Sequence, residues 1–370
     1  MLRYPARVAE SPRVTVLIPV FNRERFVDEA IQSVLAQDFA GFELLLVDDG
    51  STDRTPDVLR EWATRDTRIV VVTSPRNLGI PGALNLGLRH ARAPYVARLD
   101  SDDLMMPRRL AAQAAVLDSE PEVVLVSAAY ELMDRDGNYA GTWHADEPHE
   151  AVVYFLNFYN IIGGHSQVMY RRDDVFADGG YSVDFASSED YQLWVRLLRR
   201  GRIRTLPLIG MKQRDHDERS LVRYGGIKRT NWTAIMRDSL ERYLQRPVRD
   251  DEIAALITLW RHDGIPGMAP IAERTMREAF AQFRSEHPDP ELQRRVRDRT
   301  ARQWLEAATR FANAGQRAEA RRYLARATMW SPKTVVSIAA GGALDSISTT
   351  LGRNRVVRVV RGLKRTLTSA

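Results

Sequence analysis

The sequence predicts an α/β chain: a doubly wound, mainly parallel sheet flanked by helices, followed by an α-helical C-terminal region. Three observations predict it. Five short apolar runs within residues 14–127 alternate with segments of helical periodicity. Polar clusters fall just after three of these runs, where a parallel sheet gathers its ligands. From residue 226 onward helical spacing dominates, broken at Pro247, Gly264-Ile265-Pro266 and Pro288-Asp289-Pro290.

Residues 14–20 (VTVLIPV) read as a buried strand with Pro19 near its end. Residues 24–37 carry Phe26, Val27, Ala30, Ile31, Val34 and Leu35 at helical spacing. A second strand covers 43–49 (ELLLVDD), and a helix over 55–63 has Pro56 in its first turn, where a missing N–H is harmless. The third strand is 69–73 (IVVVT), followed by a helix over 82–91 and a fourth strand over 95–99. A helix follows Pro107 with Leu110, Ala114 and Leu117 on one face, and 123–127 is the fifth strand. The expected division is an α/β domain over 1–225, a helical region over 226–332 and a basic tail over 333–370.

The chain has 370 residues, 44% of them hydrophobic, and no cysteine. Disulfides, thiolate metal sites and cysteine nucleophiles are excluded, which fits a reducing compartment. No apolar signal core opens the sequence, and no apolar run is long enough to span a bilayer. The net charge of +6 is matched by the tail alone: Arg353, Arg355, Arg358, Arg361, Lys364 and Arg365 lie together without an acid. The remaining body is near neutral, so nucleic acid is not an expected partner. Val356, Val359, Val360, Leu363 and Leu367 fall on one helical face of that tail. Such a helix can lie on an anionic membrane; the alternatives are a solvated helix packed on the domain or a disordered tail. The expectation is a cytoplasmic protein, peripheral at the inner membrane face through its tail.

Residues 96–103 (VARLDSDD) end an apolar run in Asp100, Asp102 and Asp103. Carboxylates this close repel unless a cation sits among them, and Asp-X-Asp at a strand end can hold a hard divalent cation and, through it, a diphosphate. A solvated turn or a helix cap is the plain alternative. The regular placement of Phe21-Asn22-Arg23, Asp48-Asp49-Gly50-Ser51 and Asp100-Ser101-Asp102-Asp103 at three strand ends argues for one crevice.

The ordered set VLIPVFNRERFVDEAIQSVLAQ, LLLVDDGSTDRT, NLGIPGALNLGLRHARAPYVARLDSDD, SQVMYRRDDVFADGGY, SSEDYQLWVRLLRRG and QRDHDERS resembles the inverting family 2 glycosyltransferases with a nucleotide-diphospho-sugar-binding GT-A fold. The resemblance covers about residues 14–220. It implies a nucleotide-diphospho-sugar donor, a hydroxyl acceptor that is saccharide, lipid-linked or other, and Mg²⁺ or Mn²⁺.

It also implies roles. Pro19, Val20, Phe21 and Asn22 would line the nucleotide. Asp49 would read the base, and a carboxylate that accepts an imide N–H favours uracil or thymine. Asn77 would lie beside the nucleotide, although Arg76-Asn77-Leu78-Gly79 reads equally as a helix start. Asp100 would sit near ribose and metal with Ser101 alongside, Asp102 would ligate the metal, and Asp103 would support the loop. Asp190 would deprotonate the acceptor hydroxyl, with Glu189 next to the acceptor. Carboxylates at a helix start are also stabilised simply by the dipole. His216 would approach the diphosphate and His165 the acceptor. Asp53 and Thr55 are better read as caps of the following helix, and Trp194 as core.

Two rival functions are disfavoured. A sugar-nucleotide nucleotidyltransferase should carry a glycine-rich loop after the first strand, where this chain reads FNRER. An inactive binding or scaffold protein should lack the carboxylates that are present here. In the second half, residues 304–332 have tetratricopeptide-like spacing, but one unit cannot build a solenoid, and an ordinary helical hairpin is favoured.

Overall fold

The computed structural model describes residues 11–134, 137–144, 146–214, 225–260 and 264–340. The chain divides into two compact units, one over 1–156 with 160–235, the other over 157–159 with 236–370.

The first unit is built on a mixed sheet. β1 (Val14–Val20), β2 (Phe42–Asp48), β3 (Ile69–Thr73) and β4 (Tyr95–Arg98) are parallel neighbours in the order β3-β2-β1-β4. The sheet continues through β8 (Val168–Arg171), which is antiparallel to β4 and β6. It then passes to β6 (Val123–Met133), β9 (Arg202–Arg214) and the short β5 (Leu104–Met105), with β7 (Tyr139–Trp143) paired to β6. The alternation of helices α1 (Val27–Leu35), α2 (Thr55–Arg65), α3 (Gly79–His90) and α4 (Arg109–Ser119) with the first strands is the one read from periodicity.

Chemistry explains the core. Val14, Val16, Leu17 and Ile18 of β1 and Leu44 and Leu46 of β2 are wholly buried. Such two-sided burial is what continuous apolar runs in a parallel sheet require. α1 turns Val27, Ala30, Ile31 and Val34 inward. α3 lies so close to the sheet that a Cβ on Gly87 would come 2.3 Å from a Leu17 methyl.

The order β3-β2-β1-β4 matters most for function. The chain winds outward from β1 to β3, then returns to place β4 on the other side of β1. That reversal opens a crevice beyond the carboxyl ends of β1 and β4, the place where open α/β sheets bind ligands.

The structure extends the sequence reading in two respects. β6 runs six residues past the expected end at Ser127, and β9, whose Pro207 and Gly210 obscure a strand pattern, pairs with it in parallel. Their register shifts near Ala128–Tyr130, opposite the Pro207 stretch, and a proline in a sheet interior belongs at such an irregularity.

The second unit is helical: Asp250–Trp260, Ala269–Glu286, Pro290–Asn313, Arg317–Trp330 and Pro332–Ala340. The helix Gly225–Leu244 begins in the first unit and ends in the second. The segment expected as a hairpin folds as one. Gly315 (φ +75°) turns the chain, with Gln316 N–H donating to Phe311 O and Gly315 N–H to Ala312 O. Trp304 and Phe311 pack on Tyr323 across it. No helix among the described residues is long and apolar enough to cross a membrane. The basic stretch of the tail lies outside the described residues.

Candidate functional site

Hydrogen bonds between the strand ends assemble the crevice. Asn22 adopts a left-handed conformation (φ 52°), which asparagine tolerates. Its N–H donates to Ser51 Oγ at 3.0 Å, and its Oδ1 accepts from Thr52 N at 2.8 Å. The β1 and β2 loops are thereby stitched together, and Asp49 N–H donates to Val20 O at 2.8 Å. Asp53 Oδ1 accepts from Thr55 N at 2.9 Å and Thr55 Oγ1 accepts from Arg23 N at 2.8 Å, so these two residues serve the start of α2.

Asp49 is buried, and its Oδ1 accepts the N–H of Leu78 at 2.8 Å, tying β2 to the start of α3. Burial pushes its carboxyl above the usual range, against the pull of the backbone N–H groups of Leu78 and Gly79. Gly50 (φ +75°) makes this approach possible: a Cβ there would sit 2.9 Å from the Arg76 carbonyl carbon. Asn77 is exposed, and its Oδ1 accepts from Gly79 N at 2.9 Å. The structure thus shows the helix-start role of Asn77 and leaves its face open.

At the β4 end, Asp100, Asp102 and Asp103 bring one carboxylate oxygen each within 4.8 Å of one another. Arg23 Nε lies 3.5 Å from Asp102 Oδ2, joining the β1 loop to this cluster. Asp103 is 2% exposed; its Oδ1 accepts from Arg214 N at 3.1 Å, and its Oδ2 has no partner among the described residues. Burial, then the charges of Asp102 and Asp100, hold its carboxyl well above the usual range. A buried carboxylate oxygen without a donor, beside two more carboxylates, is a donor set that a hard divalent cation fits. Ser101 is buried in the same turn.

Beneath the cluster are groups that the sequence reading passed over. Arg98, 1% exposed, pairs with Asp100 Oδ1 at 2.5 Å. Arg109, wholly buried, donates to the carbonyls of Arg98 (2.9 Å) and Val168 (3.0 Å). Burial and the neighbouring Arg98 charge pull the Arg109 guanidinium down to about 9. Ser166 Oγ sits between Arg98 and Asp100.

After α5 (His149–Leu156) and α6 (Arg172–Ala177), the other carboxylates come from α7 (Glu189–Leu197), whose first residues are Glu189 and Asp190. Asp190 is partly exposed; its Oδ2 accepts from Asn160 Nδ2 at 3.1 Å, and Asn160 also donates to Gly163 O at 2.9 Å. Glu189 is buried, and its Oε2 has no partner among the described residues. Burial raises its carboxyl to about 7; the charges of Asp190 and Asp100 add to this and that of Arg98 opposes it. The α7 start is therefore within electrostatic reach of the β4 end.

His165 is buried rather than facing open solvent. Its Nε2 is 2.8 Å from Tyr181 Oη, which in turn donates to Tyr170 Oη, and its ring meets the edge of Trp194. Burial and Arg98 push the imidazole well below its ordinary range, so it is neutral. Trp194 is wholly buried, as a core residue should be. Pro19, within β1, and Phe21, just after it, are half-buried, and Val20 is buried. His216 lies outside the described residues. Arg109 and Asn160 carried no sequence signal beyond their types, because their partners Val168 and Asp190 are distant in the chain.

Residues 15–178 match the model of a family described as glycosyl transferase family 2. The chain is similar to the amylovoran biosynthesis glycosyltransferase AmsE of Erwinia amylovora: 32% identical over 204 residues, covering 54% of this chain and 75% of AmsE. Its fold is like that of S. aureus TarS 1-349 in complex with UDP-GlcNAc (TM-score 0.51, 18% identity, 93% of this chain and 91% of that one). It is equally like mannosyltransferase PcManGT from Pyrobaculum calidifontis in complex with GDP-Man and Mn2+ (TM-score 0.51, 19% identity, 91% and 88%). At these identities the structural likeness carries the fold, which is the GT-A architecture that the sequence motifs implied.

Proposed function

Because this chain belongs to glycosyl transferase family 2 and is a glycosyltransferase, we propose that it is an inverting, metal-dependent enzyme. It moves a sugar from a UDP- or dTDP-linked donor to an acceptor hydroxyl in polysaccharide or glycoconjugate assembly. The observation that carries this reading is the meeting of Asp100, Asp102 and Asp103 at the β1/β4 switch point, with the α7 carboxylates in electrostatic reach.

In this reading the β1 turn and the β2 loop cradle the nucleoside. Asp49 Oδ1 is engaged by Leu78 N–H, so base reading falls to Oδ2. Asp102 and Asp100 would hold a Mg²⁺ or Mn²⁺ ion, which would supply positive charge to the diphosphate leaving group. Asp190 takes the proton of the acceptor hydroxyl as its oxygen forms a bond to the anomeric carbon. Attack comes from the face opposite the diphosphate, whose bond to that carbon breaks, and the configuration inverts. Asn160 steadies the Asp190 carboxylate for this step. The relative named for amylovoran biosynthesis supports the polysaccharide setting, and the two fold neighbours were solved with nucleoside-diphosphate sugars, UDP-GlcNAc and GDP-Man.

The test is transfer by the full chain from a panel of nucleoside-diphosphate sugars, with Mn²⁺ or with EDTA, and NMR of the product anomer. The reading expects nucleoside-diphosphate release that EDTA abolishes and a product of inverted configuration. Transfer undiminished by EDTA, or a retained configuration, overturns it.

A further inference from the structure

Ser166 and Arg98 have no part in the reaction described above, yet both are buried against Asp100. Ser166 is wholly buried at the entry to β8. Its Oγ donates to Asp100 Oδ2 at 2.9 Å, accepts from Asp100 N at 2.8 Å and accepts from Arg98 Nη1 at 3.1 Å. A hydroxyl has one proton and two lone pairs. All of that capacity is spent on one carboxylate residue and its counter-ion. Arg98 Nη1 grips the other oxygen, Oδ1, at 2.5 Å.

We propose that Ser166 and Arg98 are positioning residues for the donor: they lock the Asp100 carboxylate from below before any nucleotide arrives. The Asp100 side chain is 36% exposed while that of Arg98 is 2% exposed, so the carboxylate is gripped on its buried side and open on the other. Each carboxylate oxygen accepts more than one hydrogen bond, so the open side keeps lone pairs for ribose hydroxyls or a cation. The backbone is fixed with the side chain. Arg109 holds the Arg98 carbonyl, and Ser166 holds the Asp100 N–H. A fully buried guanidinium gives up its hydration, and an ion pair at this depth is a poor source of stability. What the arrangement supplies is a fixed direction for one carboxylate, and binding to a pre-set group loses less ordering entropy.

This inference rests on the acidic cluster being the donor site, and the experiment separates the two. Calorimetry of the full chain with UDP, dTDP and GDP, each with Mn²⁺, gives the reference affinity, and electron paramagnetic resonance gives binding of Mn²⁺ alone. Asp102→Asn tests the donor site itself. Ser166→Ala and Ser166→Cys test the lock: alanine removes the hydroxyl, whereas cysteine keeps its volume with a weak donor. Both Ser166 variants should bind the nucleotide about tenfold more weakly, the loss of one charge-assisted hydrogen bond, and melt within a few degrees of the unsubstituted chain. If Ser166→Ala unfolds, Ser166→Cys carries the test. Unchanged affinity in the folded variants, or full affinity restored by cysteine, overturns the lock while the donor site stands. No nucleotide binding by the unsubstituted chain, or none lost in Asp102→Asn, overturns the donor site and the lock with it.

Discussion

Asp190 occupies the first turn of α7, with Asn160 Nδ2 on one oxygen and the N–H of Tyr191 on the other. A carboxylate held in this way is fixed in direction and still partly exposed, as the proposed base must be. Asp190→Asn keeps the shape and removes the proton acceptor, so transfer should fall by about 10²–10⁴-fold. Nucleotide affinity should stay within a factor of about three, since the two hydrogen-bond partners named for Asp190, Asn160 and Tyr191, lie outside the β1, β2 and β4 loops proposed to hold the donor. Single-turnover rates and calorimetry on the same preparation check both halves; a near-normal rate removes Asp190 from its role. At this scale the sequence was legible where chemistry is local. Asp100, Asp102 and Asp103 stand together in the chain and together in space. Asp49 was legible as a carboxylate at a strand end, but its service to the start of α3 was not, because Leu78 lies 29 positions away. Arg98 was hidden for another reason. Arginine is rarely fully buried without a paired acid, and inside VARLDSDD it reads as a surface residue between apolar neighbours.

The elements that build the crevice were legible because each announces itself within its own span. β1 and β3 match the bounds expected from apolar runs, and α2 begins at the expected Thr55. β5, β7, β8 and β9 were not, because their pairing is set by partners far along the chain. β9 carries Pro207 and Gly210, and β8 is only four residues long. The β2–α2 loop shows how an element can depend on one residue. Gly50 has φ +75°, and an added Cβ would stand 2.9 Å from the Arg76 carbonyl carbon and 3.1 Å from Asn77 N. Backbone cannot swing aside as a side chain can. Gly50→Ala should therefore destabilise by about 1–3 kcal/mol and move the Asp49 carboxylate away from Leu78. Melting temperature and nucleotide affinity should fall together. A variant that melts and binds as the unsubstituted chain does would show that the loop has room to shift.

For the whole molecule, buried ionisable groups make stability depend on pH in a direction that the geometry sets. Glu189 has its carboxyl raised from 4.5 to about 7, chiefly by burial. An acid raised in the folded state binds more protons there than when unfolded, so stability falls as pH rises between those two values and stays lowered above them. Asp103 is raised for the same reason and adds to the slope. His165 acts oppositely: its imidazole is held neutral, so stability is lost as pH falls below the ordinary value of 6.5. Acids lowered by arginine partners, such as Glu252 at about 2, lose their contribution only at more acidic pH. Between pH 4.5 and 6.5 these two trends oppose one another; above 6.5 only the loss at the raised acids remains, so the full chain should weaken as pH rises from 6.5 through about 7. Glu189→Gln isolates one cause, because glutamine mimics the protonated acid at every pH. At pH 5 the variant and the unsubstituted chain should melt together. At pH 8 the variant should melt several degrees higher, the gain bounded by about 3 kcal/mol at 1.36 kcal/mol per pKa unit. Melting curves of both proteins across pH 5–8 decide it. A difference that stays constant with pH would mean that Glu189 remains ionised when buried, with a counter-charge closer than Arg98 provides.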